Sequence, residues 1–295
     1  MIEFSIVIVS YYNIPMVVEC IESIIKYNDI SNSLEIIVSD NSPDHSVAEY
    51  LKNNYKNIKC VENPINGGFG YGNNRGVELA QGKYILFLNP DTIFVEPIFR
   101  FAIDKFENNP NLFLFGLKLV TREGEDNLSY MLLDCFSIFD HIFQNICWKR
   151  NHFIPRKMYT SGANIFIRKD VFDQLGGFDE KFFMYYEESD LLRRLLLKYP
   201  EAYNSYFMEH VIIHLEGGTT KNTNHENAEK AFEREIESLR YYCKKYSINF
   251  IRTIKRILLK NRMIMFFNCI CGDKTKYNNR KLLYGFYKQF YLSNK

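Results

Sequence analysis

The sequence predicts an α/β sandwich, with helices covering a mostly parallel central sheet and a basic helical tail at the C-terminus. Three observations carry this. Short apolar, β-branched runs alternate with helical-period segments through roughly the first 120 residues. Each run ends in a polar cluster. Charge is also segregated: residues 241–295 hold 13 Lys plus Arg and one acidic residue, Asp273, while the whole chain carries 37 basic and 35 acidic groups.

The elements follow in order. Phe4-Ser-Ile-Val-Ile-Val-Ser10 has the continuous apolar character of a strand buried on both faces. Asn13 suits a helix cap and Pro15 a first turn, and Met16, Val17, Cys20, Ile21, Ile24 and Ile25 then recur at helical spacing. Residues 34–39 read as a second strand, 46–54 as a helix, 58–62 as a third strand, 71–81 as a helix and 83–88 as a fourth strand. Alternation of this kind builds a mostly parallel sheet. Residues 120–158 break it, mixing charges and aromatics as an insertion or flexible lobe would. A strand over 164–168 follows, then a helix over 187–198 stopped by Pro200, an apolar run over 211–214 and a helix over 228–246. The chain thus reads as a catalytic domain over 1–245 and a basic amphipathic extension over 246–295.

Composition limits the function classes. Hydrophobic residues make up 46% and charged residues 24%, a globular balance. The N-terminus lacks a basic segment followed by an apolar core, and no apolar run reaches membrane-spanning length. Seven cysteines without a C-x-x-C pair read as reduced thiols in a cytoplasmic protein.

In a sheet of this kind, ligands bind at the carboxyl ends of the strands. Those ends read Ser10-Tyr-Tyr-Asn13, Ser39-Asp-Asn-Ser42, Asn63-Pro-Ile-Asn-Gly-Gly68 and Asn89-Pro-Asp-Thr92. Asp91, just past a buried strand, can hold a divalent ion bridging a diphosphate, since hard oxygens suit Mg²⁺ or Mn²⁺. By itself it equally suits a helix cap. Glu187, Glu188 and Asp190 open a helix, where its dipole favours acids. Burial under the preceding aromatics would make one basic enough to take a proton from a hydroxyl. Arg194 is placed to offset Asp190 one helical turn on. His214 ends an apolar run and precedes Gly217-Gly218, yet a lone histidine also suits a core. Glycine-rich Asn66-Gly-Gly-Phe-Gly-Tyr-Gly-Asn-Asn-Arg-Gly76 can cradle phosphate before a helix, but it matches neither a P-loop nor a dinucleotide fingerprint.

In this order the motifs, continued by Gly176-Gly-Phe-Asp-Glu180, Tyr186-Glu-Glu-Ser-Asp-Leu191 and His214-Leu-Glu-Gly-Gly218, resemble the family 2 inverting glycosyltransferases, especially their rhamnosyltransferase-like branch. The resemblance spans about residues 3–245 and implies a GT-A fold, the Rossmann-like α/β/α sandwich of nucleotide-diphospho-sugar transferases. It implies that Asp40, with Ser10 and Tyr12, meets the donor nucleotide, and that Asn66, Gly68 and Arg75 line the donor cleft. Asp91 would bind Mn²⁺ or Mg²⁺ with His214, in a D-x-D-like motif whose first carboxylate is replaced by Asn89. Glu188 would be the general base, with Glu187 and Asp190 as alternatives. Single displacement would then move a sugar, dTDP-rhamnose being favoured over UDP-sugars, onto a glycan or lipid-linked oligosaccharide in cell-surface polysaccharide synthesis.

Two other classes are weighed. A scaffold that lost the chemistry would not be expected to keep Asp91, Glu188 and His214 together. A sugar nucleotidyltransferase would carry a basic glycine-rich loop after the first strand, where this chain has Ser10-Tyr-Tyr-Asn13. No motif supports nucleic-acid binding. In the tail, Phe250, Ile254, Ile257, Leu258 and Met265 share a helical face interleaved with cations, as expected for peripheral binding to an anionic membrane on its inner face. A packing helix or a dimer contact is the other reading.

Overall fold

The computed structural model describes residues 1–215 and 225–294. Glu216, Gly217 and Gly218 of the last motif lie outside them. The first half runs β1 (Phe4–Ser10), α1 (Ile14–Lys26), β2 (Leu34–Asp40), α2 (Ser46–Asn54), β3 (Ile58–Glu62), α3 (Gly68–Val77) and β4 (Tyr84–Leu88). It continues with β5 (Thr92–Phe94), α4 (Phe99–Asn108), β6 (Leu112–Val120), β7 (Tyr130–Leu132) and α5 (Ile138–Lys149). Then come β8 (Met158–Thr160), β9 (Asn164–Arg168), α6 (Lys169–Leu175), α7 (Glu187–Lys198) and β10 (Tyr203–His214). Helices α8 (His225–Lys245), α9 (Phe250–Ile270) and α10 (Lys274–Ser293) close the chain.

Eight strands form a mixed sheet in the order β3-β2-β1-β4-β9-β6-β10-β5. Neighbours among β3, β2, β1 and β4 are parallel, as are β6 and β10, whereas β9 runs antiparallel to β4 and β6, and β5 to β10. One face of β1, β2 and β4 packs Ile6, Ile8, Val38 and Leu86 against the helical-period residues Val17, Cys20, Ile21 and Ile24 of α1. On the other face α3 lies close to β1, and a Cβ at Gly76 would come 2.4 Å from Val7 Cγ1. Part of the glycine-rich run therefore serves helix–strand packing rather than a phosphate.

Antiparallel β9 has a consequence for position. Its start, Asn164, pairs with Leu88 at the end of β4, so the turn at 161–163 sits at the sheet edge where the parallel strands end. The amide of Asn89 donates to Ala163 O there (3.1 Å).

The chain forms two compact units, residues 1–131 with 154–222, and residues 132–153 with 223–295. The segment expected as a flexible lobe contains α5, which begins with a capping box between Ser137 and Asp140. Residues 132–153 pack with the C-terminal helices: Lys260 Nζ donates to Cys135 O (2.8 Å) and Tyr242 OH to Asp134 Oδ1 (3.0 Å). Ile254 and Ile257, expected on a membrane-facing surface, are buried in this second unit. That face of α9 is a packing face. No helix among the described residues is long and apolar enough to cross a membrane.

Candidate active site

The polar strand ends gather at one edge of the sheet. At β1 and β2, Asp40 is fully buried, and its carboxylate accepts from Ser10 Oγ (3.2 Å), Ser42 N (2.9 Å) and Ala48 N (2.9 Å). Both oxygens thus hold the β2–α2 loop and the first turn of α2. The exposed groups beside it are Tyr11 and Tyr12, whose rings meet edge to face with centroids 4.6 Å apart. Tyr12 has φ 64° and its amide donates to Ser42 Oγ (2.7 Å), fixing an otherwise disfavoured backbone.

Asn41 and Asn63 extend this network. Asn63 Nδ2 donates to Ser39 Oγ and to Asn41 Oδ1, both at 2.8 Å, while Asn41 Nδ2 donates to Gly68 O (3.1 Å) and Asn66 Oδ1 (3.3 Å). Gly68 has φ 88°, and a Cβ there would stand 1.8 Å from Phe183 O. Only glycine fits, and the neighbouring Phe69 amide donates to that same carbonyl (3.2 Å). The glycine loop is therefore seated on the segment leading into α7. Arg75 is elsewhere engaged: it pairs with Glu78 and Glu180 and lies over the ring of Tyr71. These contacts tie the end of α3 to the segment that precedes α7.

The three acids of α7 have separate environments. Tyr185 and Tyr186 both adopt left-handed φ, 74° and 71°, a costly pair that turns the chain sharply into the helix. Asp190, fully buried, pairs with Arg194 Nε at 2.7 Å, and Arg194 Nη1 also donates to Leu175 O (3.0 Å). This ties α7 to the end of α6. Glu187 is buried with Oε1 lacking a hydrogen-bond partner among the described residues. Burial, then the nearby charges of Glu188 and Asp190, push its carboxyl well above the ordinary range. Glu188 alone of the three keeps part of its surface open. Its Oε1 accepts from Gly162 N (3.0 Å), and burial raises its carboxyl while that hydrogen bond opposes the rise. A carboxylate so held can accept a proton and stay aimed.

Gly162 itself is a group the sequence reading missed. A Cβ on it would come 2.4 Å from Glu188 Oε1, so the contact requires glycine. Its only sequence signal is the run of small residues Ser161-Gly162-Ala163 before a strand.

Asp91 and His214 meet through pairing of β5 with β10, which sets His214 opposite Thr92. Asp91 Oδ1 is 3.3 Å from His214 Nε2, and Leu215 N donates to Asp91 O (2.9 Å). Thr92 Oγ1 donates to Asn89 O (2.7 Å), fixing the turn that presents Asp91. Cys20 lies behind this turn, buried, with its thiol pushed up to about 12 by desolvation, so it is inert packing. The described cysteines are all free. Among the described residues no three metal-ligating side chains cluster. One carboxylate oxygen and one imidazole nitrogen, converging at 3.3 Å, still fit a divalent ion that takes its remaining oxygens from a diphosphate and water. The Nδ1 of His214 is buried without a partner among the described residues, which leaves Nε2 facing Asp91.

Comparison with known proteins agrees with this architecture. The profile of the family described as Glycosyl transferase family 2 matches residues 5–176. The minor teichoic acid biosynthesis protein GgaB of Bacillus subtilis is 32% identical over 158 residues, 49% of this chain but 17% of that protein. The rhamnosyltransferase WbbL of Escherichia coli is 27% identical over 207 residues, covering 65% of this chain and 76% of WbbL. The chain therefore spans a small part of some relatives and most of others. The mannosyltransferase PcManGT of Pyrobaculum calidifontis, solved in complex with GDP-Man and Mn²⁺, superposes with a TM-score of 0.64 over 97% of this chain and 84% of that one, at 10% identity. Staphylococcus aureus TarS gives 0.53 over 95% and 55%, at 13% identity. At such identities the likeness is one of fold, and that fold is GT-A.

Proposed function

The chain belongs to glycosyl transferase family 2, and from that premise we propose that it transfers a sugar from a nucleotide-diphospho-sugar to a hydroxyl of a glycan or lipid-linked glycan, with inversion, in cell-surface polysaccharide synthesis. The observation that carries the proposal is the Glu188 carboxylate, held by Gly162 N at the edge where β4 ends. Glu188 takes the proton of the acceptor hydroxyl as that oxygen attacks the anomeric carbon from the face opposite the leaving group. A single displacement inverts the centre and needs no covalent enzyme intermediate. Asp190 is fully buried against Arg194 and Glu187 is buried as well, so Glu188, which keeps part of its surface open, is favoured over both.

Asp91 and His214 would hold a Mn²⁺ or Mg²⁺ ion, which supplies positive charge for the departing diphosphate. Tyr11 and Tyr12 offer exposed rings for a nucleotide base, with Ser10 and Asp40 shaping their loop from beneath. Asn66 and Gly68 set the wall of the donor cleft against Phe183, and Asn89 frames the turn that carries Asp91. The similarity to the rhamnosyltransferase WbbL supports a rhamnosyl donor such as dTDP-rhamnose, with UDP-sugars next.

The test is a panel of nucleotide sugars with and without Mn²⁺, read as thermal stabilisation and as released nucleoside diphosphate. A matching donor near 100-fold its Kd should stabilise by about 2.7 kcal/mol, roughly 4–5 °C for a protein of this size. No stabilisation by any member, with or without metal, would overturn the reading.

A further inference from the structure

The second unit carries an apolar helix face that is turned outward. In α5, Phe139 is 79% exposed and Ile142, Phe143 and Ile146 are 43–45% exposed. At positions i, i+3, i+4 and i+7 they form one continuous stripe, and Lys149 and Arg150 prolong it. The buried side of the same helix is Ile138, Gln144 and Cys147. A helix that packs a glutamine inward and leaves two phenylalanines and two isoleucines in water is arranged for a surface it has yet to meet.

The neighbouring α9 continues the pattern. It packs along α5 within the unit, and its distal turns expose Phe266, Phe267 and Ile270. Its proximal turns expose Arg252, Lys255 and Arg256. From Phe250 to Ile270 it has no acidic residue, and the single acid of α5, Asp140, is spent on the Ser137 cap. The two helices therefore present apolar side chains and cations with no exposed carboxylate.

We propose that α5 and the distal end of α9 form a docking face for an anionic lipid bilayer, with Phe139, Ile142, Phe143 and Ile146 entering the boundary between head groups and acyl chains. Charge selects this partner over a second copy of the chain. A two-fold contact would set the patch against itself and bring like charges together. Anionic head groups neutralise those same cations while the acyl region takes the apolar stripe. This face differs from the one expected in the tail, whose Ile254 and Ile257 are interior.

The experiment is flotation of the full chain with phosphatidylcholine vesicles, with or without phosphatidylglycerol. It needs no substrate, so its failure and that of the glycosyl-transfer reading are told apart. The wild type should bind the mixed vesicles and not the neutral ones. The double variant Phe139→Ser/Phe143→Ser should bind at least about 10-fold more weakly, as expected for losing two inserted rings. Lys149→Ala/Arg150→Ala, which leaves the apolar stripe intact, should also weaken binding about 10-fold and reduce its salt dependence. Circular dichroism of both variants should match the wild type. Absence of binding to mixed vesicles, or equal binding by the Phe139→Ser/Phe143→Ser variant, would overturn the proposal. So would a dimer in sedimentation velocity that this variant abolishes without any change in vesicle binding.

Discussion

Asp91 Oδ1 stands 3.3 Å from Nε2 of His214, joined across the chain by a three-residue strand pairing with the last residues of β10. On the proposed reading, this hard oxygen and imidazole nitrogen would supply two ligands of a divalent ion.

Asp91→Ala should therefore weaken nucleotide-sugar binding in the presence of Mn²⁺ by at least about 10-fold, the lower end of what even outer-sphere partners of a metal contribute. Binding in EDTA should hardly change. Isothermal titration with and without Mn²⁺ checks this, and a variant that still gains affinity from the metal would argue against the site.

Glu187 makes a prediction about pH. Its carboxyl is raised above the ordinary 4.5 by burial, so the folded state binds a proton that the unfolded state releases. The associated stability is complete below the unfolded value and is lost as pH rises through the folded one. Glu187→Gln mimics the protonated form, so its Tm advantage over the wild type should grow between pH 5 and pH 8. An advantage that shrinks over that range would mean Glu187 is charged in the fold.

Gly162→Ala probes the hold on the base. The added methyl would meet Glu188 Oε1 at 2.4 Å and push the carboxylate aside. Displacement of about 1 Å from a working geometry costs on the order of 100-fold in rate. Transfer should fall by that factor while donor titration stays near wild type. Full activity would show that Gly162 does not aim the base.

Asp40 should behave as a structural residue. Asp40→Ala leaves buried Ser42 and Ala48 amides without their acceptor, and should lower unfolding stability by about 3 kcal/mol in urea. A variant of unchanged stability with lost nucleotide binding would instead put Asp40 in direct contact with the base.

Much of this was legible in the sequence, and what was not has a physical cause. β1, β2 and β4 are legible because their apolar runs are buried on two faces and bounded by polar turns. Arg194 is legible as the partner of Asp190, since both lie on one helix face four residues apart. β5 has only three residues, and its meaning comes from pairing with a strand far along the chain. Gly162 matters through a side chain 26 residues away. The apolar residues of α9 have the same spacing whether they face lipid or a helix, and only packing with the rest of its unit makes Ile254 and Ile257 interior. The outward stripe of α5 is not legible within residues 120–158, because Gln144 and His141 dilute its periodicity.

The most direct measurement compares Glu188→Gln with the wild type in sugar transfer and in nucleotide-diphosphate binding. Glutamine keeps the size of the side chain and an oxygen able to accept from Gly162 N, but it cannot take the acceptor proton. Transfer should drop by about 100-fold or more, the scale of general-base catalysis, with nucleotide affinity within about twofold of wild type. Near-wild-type turnover would contradict Glu188 as the base and with it the central account of this site.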